Sequence, residues 1–397
     1  MAGICDDENI ECSVNPKQCT MSDNNLSDKP KSSAISIGKE LPMDVYAKNG
    51  ILLLKRGHYV LSPDMKHRLI KLGFTEQPIE VKPAEKTADT YRKGQSLFEE
   101  IVFLQQRVRN MLQHALTQPD LEQRVRAIAQ TIINVSERHP DGLLASMLLL
   151  PFQEYGVAHS LHTTALLALI TRQMKLPPGH REILLCAALT MNVSQIELQN
   201  ELFSHEGQLT PQHNSAIKEH PLLSSAILRE AGIENELWHA LVQTHHENWQ
   251  GSGYPFGLGR KQILPPAHLL HLADITCAKL APRRYRSAQL PATALGNLFQ
   301  RKDVDFDSAF TTMLIRELGI YPPGSFVKLV NNEIAVVLAR RDKPSEPQVA
   351  ALRKADGPAY AEVLLRETSN PQYKIAGPCS SNLAGVRISF LASLWKV

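Results

Sequence analysis

His245, His246 and Glu247 stand side by side, and a glycine-rich run, "NWQGSGYP" (248–255), follows at once. Neighbouring imidazoles converge on one point only where the backbone turns, and Gly251 and Gly253 permit the dihedrals such a turn needs. Tyr254-Pro255 stiffens its exit. Upstream, His220-Pro221 interrupts an otherwise helical stretch, and His159-Ser160 opens "HSLHTTALLALI" (159–170). Downstream, Asp274 falls in "LLHLADITCAKL" (269–280), an apolar helix with little reason to bury a carboxylate alone. The run from His245 to Pro255 looks like half of a metal-dependent hydrolase site, imidazole being a common ligand of divalent ions.

Each of these residues also admits a plainer reading. His159 is equally a packed helix residue, with His162 one turn later competing for the same register. His220 is equally a helix-end residue, and Asp274 equally the partner of a buried base. Arg283, Arg284 and Arg286 suit phosphate recognition through fork-shaped donors, although a basic cluster also reads as solvated surface.

Helices must position these groups. From about residue 91 to 316 the periodicity is helical: Leu97, Ile101, Leu104, Val108 and Met111 recur at spacings of three and four, giving one apolar face. Breaks at "HPDG", "KLPPG", "SHEGQLTP" and "WQGSGYPFGLG" divide the stretch into six or more helices. The expected fold is mainly α: a helical domain over 95–325, flanked by a small β-rich N-terminal module (35–80) and a small β-rich C-terminal subdomain (326–397). In the first module, two strand-like runs flank Asn49-Gly50, a type I′ turn dipeptide, and Ser62, Pro63 and Gly73 mark a helix's cap, start and stop. In the second, Asn331-Asn332 separates "FVKLV" from "EIAVVLAR", and "AYAEVLLRE" is a further strand candidate. Residues 81–94 read as a linker, and residues 1–33 as a disordered tail too polar to bury a core.

Bulk properties narrow the function. The chain has 397 residues, 43% of them hydrophobic, with 43 basic against 40 acidic residues and a formal charge of +3. That balance argues against a nucleic-acid polymer as partner. No apolar run approaches the ~20 residues of a bilayer span, and the opening residues carry no secretory pattern, so a cytoplasmic protein is expected. Of six cysteines, Cys5, Cys12 and Cys19 lie in the polar tail and Cys186, Cys277 and Cys379 are scattered, without a CxxC pair. Met21 begins a hydrophilic stretch that reads as an ordinary start, so Met1 and Met21 both stand as candidate translation starts.

Five landmarks occur in one order: "HS" at 159, "LTPQHNSAIKEHP" at 209–221, "HHENWQGSGYP" at 245–255, "ADI" at 273–275 and "RRYR" at 283–286. In this series residues ~95–325 resemble the HD-GYP family of metal-dependent phosphohydrolases, many of which hydrolyse cyclic di-GMP. The resemblance implies metal positions at His159, His220, His245, His246 and Asp274. It implies ligand contacts at Gly253, Tyr254, Pro255, Arg283, Arg284 and Arg286. The family's His-Asp pair, continued by a lysine, here reads Met191-Asn192 with Gln195 at the lysine position.

These changes remove charge and ligand strength. A bridging carboxylate offsets the repulsion between two cations; even two unit charges 4 Å apart interact by ~4 kcal/mol at an effective dielectric of 20. Asn192 offers one neutral oxygen, and Met191 a soft thioether ill-matched to iron(II), manganese or magnesium. A binuclear centre is therefore not expected, which leaves two readings of the residual histidines: a site for a single divalent ion (zinc, iron or manganese), resting on three imidazoles, or an empty pocket. The expected function is bacterial signalling: binding cyclic di-GMP, a related nucleotide or a signalling protein, with little or no hydrolysis. Two rivals stand beside it, a working phosphodiesterase with a remodelled metal site and a pure interaction scaffold.

Overall fold

The computed structural model describes residues 33–36, 39, 41–43, 45–47, 52–54, 60, 63–75, 96–151, 154–205, 207–281 and 290–395. The chain divides into two compact units, Met1–Tyr91 and Arg92–Val397. In the first, strands β1 (Val45–Ala47), β2 (Leu52–Leu54) and β3 (Gly73–Thr75) form an antiparallel sheet in the order β2-β1-β3, with helix α1 (Pro63–Leu72) preceding β3. Ile35, Leu41, Val45, Val60 and Leu69 make its small core. The Asn49-Gly50 turn, the Ser62 cap, the linker and the tail with its three cysteines lie outside the described residues.

The second unit is an α-helical array followed by a sheet. Its helices are α2 (Leu97–Gln113), α3 (Leu121–Arg138), α4 (Pro140–Leu149), α5 (Tyr155–Thr171), α6 (His180–Thr190), α7 (Ile196–Ser204), α8 (Pro211–Glu230), α9 (Glu236–Thr244), α10 (Pro265–Leu280), α11 (Pro291–Gln300) and α12 (Ser308–Leu318). A 3-10 turn, Val193–Gln195, joins α6 to α7. Local chemistry starts these helices where the chain supplies a cap. Ser96 and Glu99 form a reciprocal capping box at α2 (2.8 and 3.3 Å). Thr210 caps α8 before Pro211, and Asp307 accepts from two backbone amides of α12.

Helix α5 is the hub. Every residue from Gly156 to Thr171 is buried, as expected of a helix with neighbours on all sides. Helices α3, α6, α7 and α10 pack against it. Each fully buried Leu or Ile of this core contributes about 1.5–3 kcal/mol.

Strands β4 (Phe326–Leu329), β5 (Glu333–Ala339), β6 (Gln348–Lys354), β7 (Ala359–Glu367) and β8 (Ile375–Pro378) form an antiparallel sheet in the order β7-β6-β5-β4-β8, followed by the short helix α13 (Ile388–Ala392). Asn332 closes the β4–β5 hairpin at φ 68°, a conformation asparagine tolerates. Strand alternation sorts the side chains. Ile334, Val336, Ala350 and Leu352 face the helical core, whereas Ala335, Val337, Val349 and Ala351 form a second cluster on the opposite face. Gly324 admits the loop before β4 against α4: a Cβ there would stand 2.8 Å from Ala145 Cα. Arg340, at the end of β5, donates to Asp141 of α4 at 2.5 Å and to the Glu317 carbonyl. A mainly helical core with a C-terminal β-sheet is thus the architecture. Strand β6 shows no alternation because Val349–Leu352 are buried on both faces of the sheet, and β8 is short and carries a glycine and a proline, so neither reads as a period-two strand. Among the described residues, no helix is long and apolar enough to cross a membrane.

Candidate metal centre

His220 comes from the middle of α8, and His245 and His246 from the end of α9. Each backbone supplies the carbonyl that orients a ring. Pro221 has no N–H to give the Ile217 carbonyl four residues back, and His220 Nδ1 takes that oxygen at 2.6 Å. Helix α9 stops at Thr244, leaving the Val242 carbonyl without its intrahelical donor, and His245 Nδ1 bonds it at 2.7 Å. With both Nδ1–H groups donating, both Nε2 atoms carry lone pairs, and these face each other at 3.2 Å. Two lone pairs at that separation repel unless a cation lies between them.

His246 completes a group whose ligand atoms all lie within 4.8 Å of one another. Tetrahedral zinc with Zn–N bonds of 2.0–2.1 Å requires N···N separations of about 3.3–3.4 Å, so the His220–His245 spacing matches a shared ion. The three residues form a compact cluster capable of holding one metal ion, and no second such cluster occurs among the described residues.

Burial sets the protonation. It drives His220 down to about 3, helped by the neighbouring His245. It drives His245 down to about 4 against the pull of Asp274, and it holds His246 well below the usual imidazole range. Neutral imidazole is the ligand form.

Two buried side-chain pairs involve the other positions singled out in the sequence. His159 of α5 and Asp274 of α10 meet at 2.6 Å (Nε2···Oδ1), and His159 Nδ1 is buried without a hydrogen-bond partner. The second oxygen of Asp274 lies 4.0 Å from His246 Nδ1. Burial would raise the Asp274 carboxyl, but the His159 hydrogen bond and the surrounding histidines hold it well below the usual carboxylate range. Asn192 and Gln195 form the second pair: the Gln195 side-chain amide donates to Asn192 Oδ1 at 2.9 Å. Met191 is fully buried and packs in the apolar core. The connecting turn is pinned to α8, where Ser194 Oγ donates to the His220 carbonyl at 3.1 Å and meets Ser224 Oγ at 2.9 Å.

The loop after His246 wraps back over it. Tyr254 stacks on the His246 ring, with centroids 4.6 Å apart, and its N–H donates to the His246 carbonyl at 3.3 Å. Gly253 allows this approach, since a Cβ there would stand 2.5 Å from His246 O and 2.6 Å from Glu247 Cα. The Tyr254-Pro255 peptide is cis. Glu247, to which the sequence analysis assigns no role, is fully buried and accepts from the Phe256 and Leu258 amides at 2.7 and 2.8 Å. The available signal was a carboxylate directly before a glycine-rich turn. Arg283, Arg284 and Arg286 lie outside the described residues. The geometry brings His220, His245, His246, Tyr254 and the His159–Asp274 pair into one pocket.

Residues 129–310 match the profile of the HD domain family. A cyclic di-GMP phosphodiesterase of Pseudomonas aeruginosa is 29% identical over 207 residues, 52% of this chain and 50% of that protein. The cyclic di-GMP phosphodiesterase response regulator RpfG of Xanthomonas campestris is 26% identical over 221 residues, 54% of this chain and 58% of that protein. The cyclic di-GMP phosphodiesterase PdeB of Borreliella burgdorferi is 24% identical over 185 residues, 46% of this chain and 48% of that protein. The chain spans about half the length of these relatives.

Proposed function

We propose, from the premise that this is an HD-GYP-like domain of the metal-dependent phosphohydrolase type with an altered, His-rich metal cluster, that the protein is a bacterial signalling module that binds rather than consumes its ligand. The ligand is cyclic di-GMP or a related nucleotide, with a signalling protein as the alternative occupant, and the setting is the cytoplasm. Hydrolysis is weak or absent. The observation that carries this reading is the His-only cluster, supported by an Asn192 whose oxygen is engaged by Gln195.

Two-metal hydrolysis needs cations about 3.5–4 Å apart sharing an activated water. His220, His245 and His246 provide for one ion, and no carboxylate belongs to that group. A single ion there would supply Lewis acidity toward a phosphate oxygen. Around it, the protein's own residues orient and shield: Tyr254 covers His246, the Ile217 and Val242 carbonyls fix two tautomers, and Gly253, Tyr254 and Pro255 border the ligand. Arg283, Arg284 and Arg286 are proposed phosphate contacts on sequence grounds. His159 and Asp274, being paired with each other, line the pocket as its polar wall.

A second reading is a slow phosphodiesterase working through one ion, supported by a three-imidazole set that leaves a fourth tetrahedral position for water. Calorimetric titration with cyclic di-GMP, run beside a product assay, separates the two. Saturable heat without linear product supports the binding module. Linear product that vanishes in His245→Ala supports the enzyme. Neither heat nor product overturns the nucleotide reading.

A further inference from the structure

Glu247 is the carboxylate the pocket does not use. It stands beside His246, is fully buried, and points away from the imidazole cluster into the loop that follows. Neither oxygen meets a charged partner among the ion pairs of the described residues; each accepts one backbone amide, from Phe256 at 2.7 Å and from Leu258 at 2.8 Å. A buried carboxylate is kept only where such donors are fixed in place. Here it closes residues 248–258 into a ring, and the Gln250–Gly259 bridge clamps the base of the same loop.

The closed loop bears directly on the cluster. Gly253 sits against the His246–Asn248 backbone with no room for a Cβ. Tyr254 donates its N–H to the His246 carbonyl and lays its ring on the His246 imidazole. His220 and His245 each have a backbone carbonyl on Nδ1, whereas among the described residues no hydrogen bond to a backbone carbonyl orients the His246 ring. The ring is held instead by its packed neighbours, Tyr254 at 4.6 Å and His245 at 4.1 Å between centroids, with Asp274 4.0 Å from Nδ1, and of these the Tyr254 contact is the one the loop sets.

We infer that Glu247 is a positioning residue: a buried latch that holds the 248–258 loop shut and thereby aims His246 at the ion shared with His220 and His245. The inference rests on the three-imidazole reading of the cluster. It makes metal binding and loop closure a coupled pair, so that a ligand displacing Tyr254 also loosens the third imidazole.

The test uses the full chain loaded with cobalt(II), whose visible spectrum reports ligand number and geometry, together with amide hydrogen exchange at Phe256 and Leu258. Glu247→Gln keeps the shape but places an N–H against one of the two donors, and Glu247→Ala removes both acceptors. Gly253→Ala forces the loop outward while leaving the carboxylate in place. All three variants are expected to speed exchange at both amides, to change the cobalt spectrum, and to weaken cobalt binding by about 10–100-fold, as loss of a ligand-orienting partner does. Glu247→Gln, the mildest change, is read well below its melting temperature. Faster exchange with an unchanged spectrum and affinity would overturn the latch while leaving the cluster intact. A wild-type protein that takes up no cobalt would overturn the three-imidazole reading itself, and the latch with it.

Discussion

The side-chain amide of Gln195 donates to Asn192 Oδ1 at 2.9 Å, and both residues are buried. In the HD-GYP pattern these are the aspartate and lysine positions, so the contact joins two neutral groups where that pattern carries charges. It is neutral at both ends and adds no charge to the pocket. Asn192→Asp alone is therefore expected to add no second ion, because it restores a carboxylate without its companion imidazole.

The double substitution Met191→His, Asn192→Asp is expected to raise divalent metal uptake from one to two equivalents per chain. It should also destabilise the apo protein by about 1–3 kcal/mol, because an imidazole replaces a thioether in the apolar core. Elemental analysis and urea unfolding measure the two effects. Unchanged stoichiometry would mean that the surrounding frame, and not these two side chains, limits the site.

Removing a ligand should act differently from removing a wall. His245→Ala and His220→Ala are expected to abolish tight zinc binding. Asp274→Asn should retain one equivalent, since its carboxylate lies outside the three-imidazole group. It nevertheless weakens the 2.6 Å contact to His159 and is expected to cost about 1–3 kcal/mol of stability. Zinc titration and thermal melts of the three variants decide this. Loss of all metal in Asp274→Asn would make the aspartate a ligand.

Acid should unfold the apo protein early. Burial depresses His220 to about 3 and His245 to about 4, whereas both titrate near 6.5 in the unfolded chain. Between pH 6.5 and about 4 the unfolded state therefore binds protons that the native state refuses, and stability falls as pH falls. Above pH 6.5 neither state binds them and the penalty vanishes. The slope is about 1.4 kcal/mol per pH unit for each such histidine. Urea midpoints from pH 7 to 4.5 should drop steeply for the wild type and less steeply for His245→Gln.

The loop carries its own prediction. Tyr254→Ala removes the ring stacked on His246 and should weaken both metal and nucleotide binding by roughly tenfold, on the scale of a stacking contact worth ~1–3 kcal/mol. Parallel titrations with zinc and with cyclic di-GMP measure it. If both affinities stay unchanged, Tyr254 is a bystander.

Much of this pocket was legible in the residues. His245-His246 before a glycine-rich run, and His220 before a proline, are local patterns whose physics is local too: a helix end and a missing N–H each free a carbonyl for an imidazole. The α2 face and the Asn331-Asn332 hairpin were readable for the same reason, since period and turn chemistry sit within a few residues. What stayed hidden is non-local or sub-local. The His159–Asp274 contact joins residues 115 apart in the chain, beyond the reach of any periodicity. The Asn192–Gln195 bond depends on two side-chain rotamers that spacing does not fix. Glu247 was undervalued because its partners are backbone amides, which every sequence possesses and none advertises.

The most direct test is the metal content of the wild-type protein, saturated with zinc or manganese(II), freed of excess ion and measured by elemental analysis. One equivalent per chain, lost in His245→Ala, is the predicted result. Two equivalents in the unaltered protein would contradict the account, because a second ion would then be held without a carboxylate at position 192.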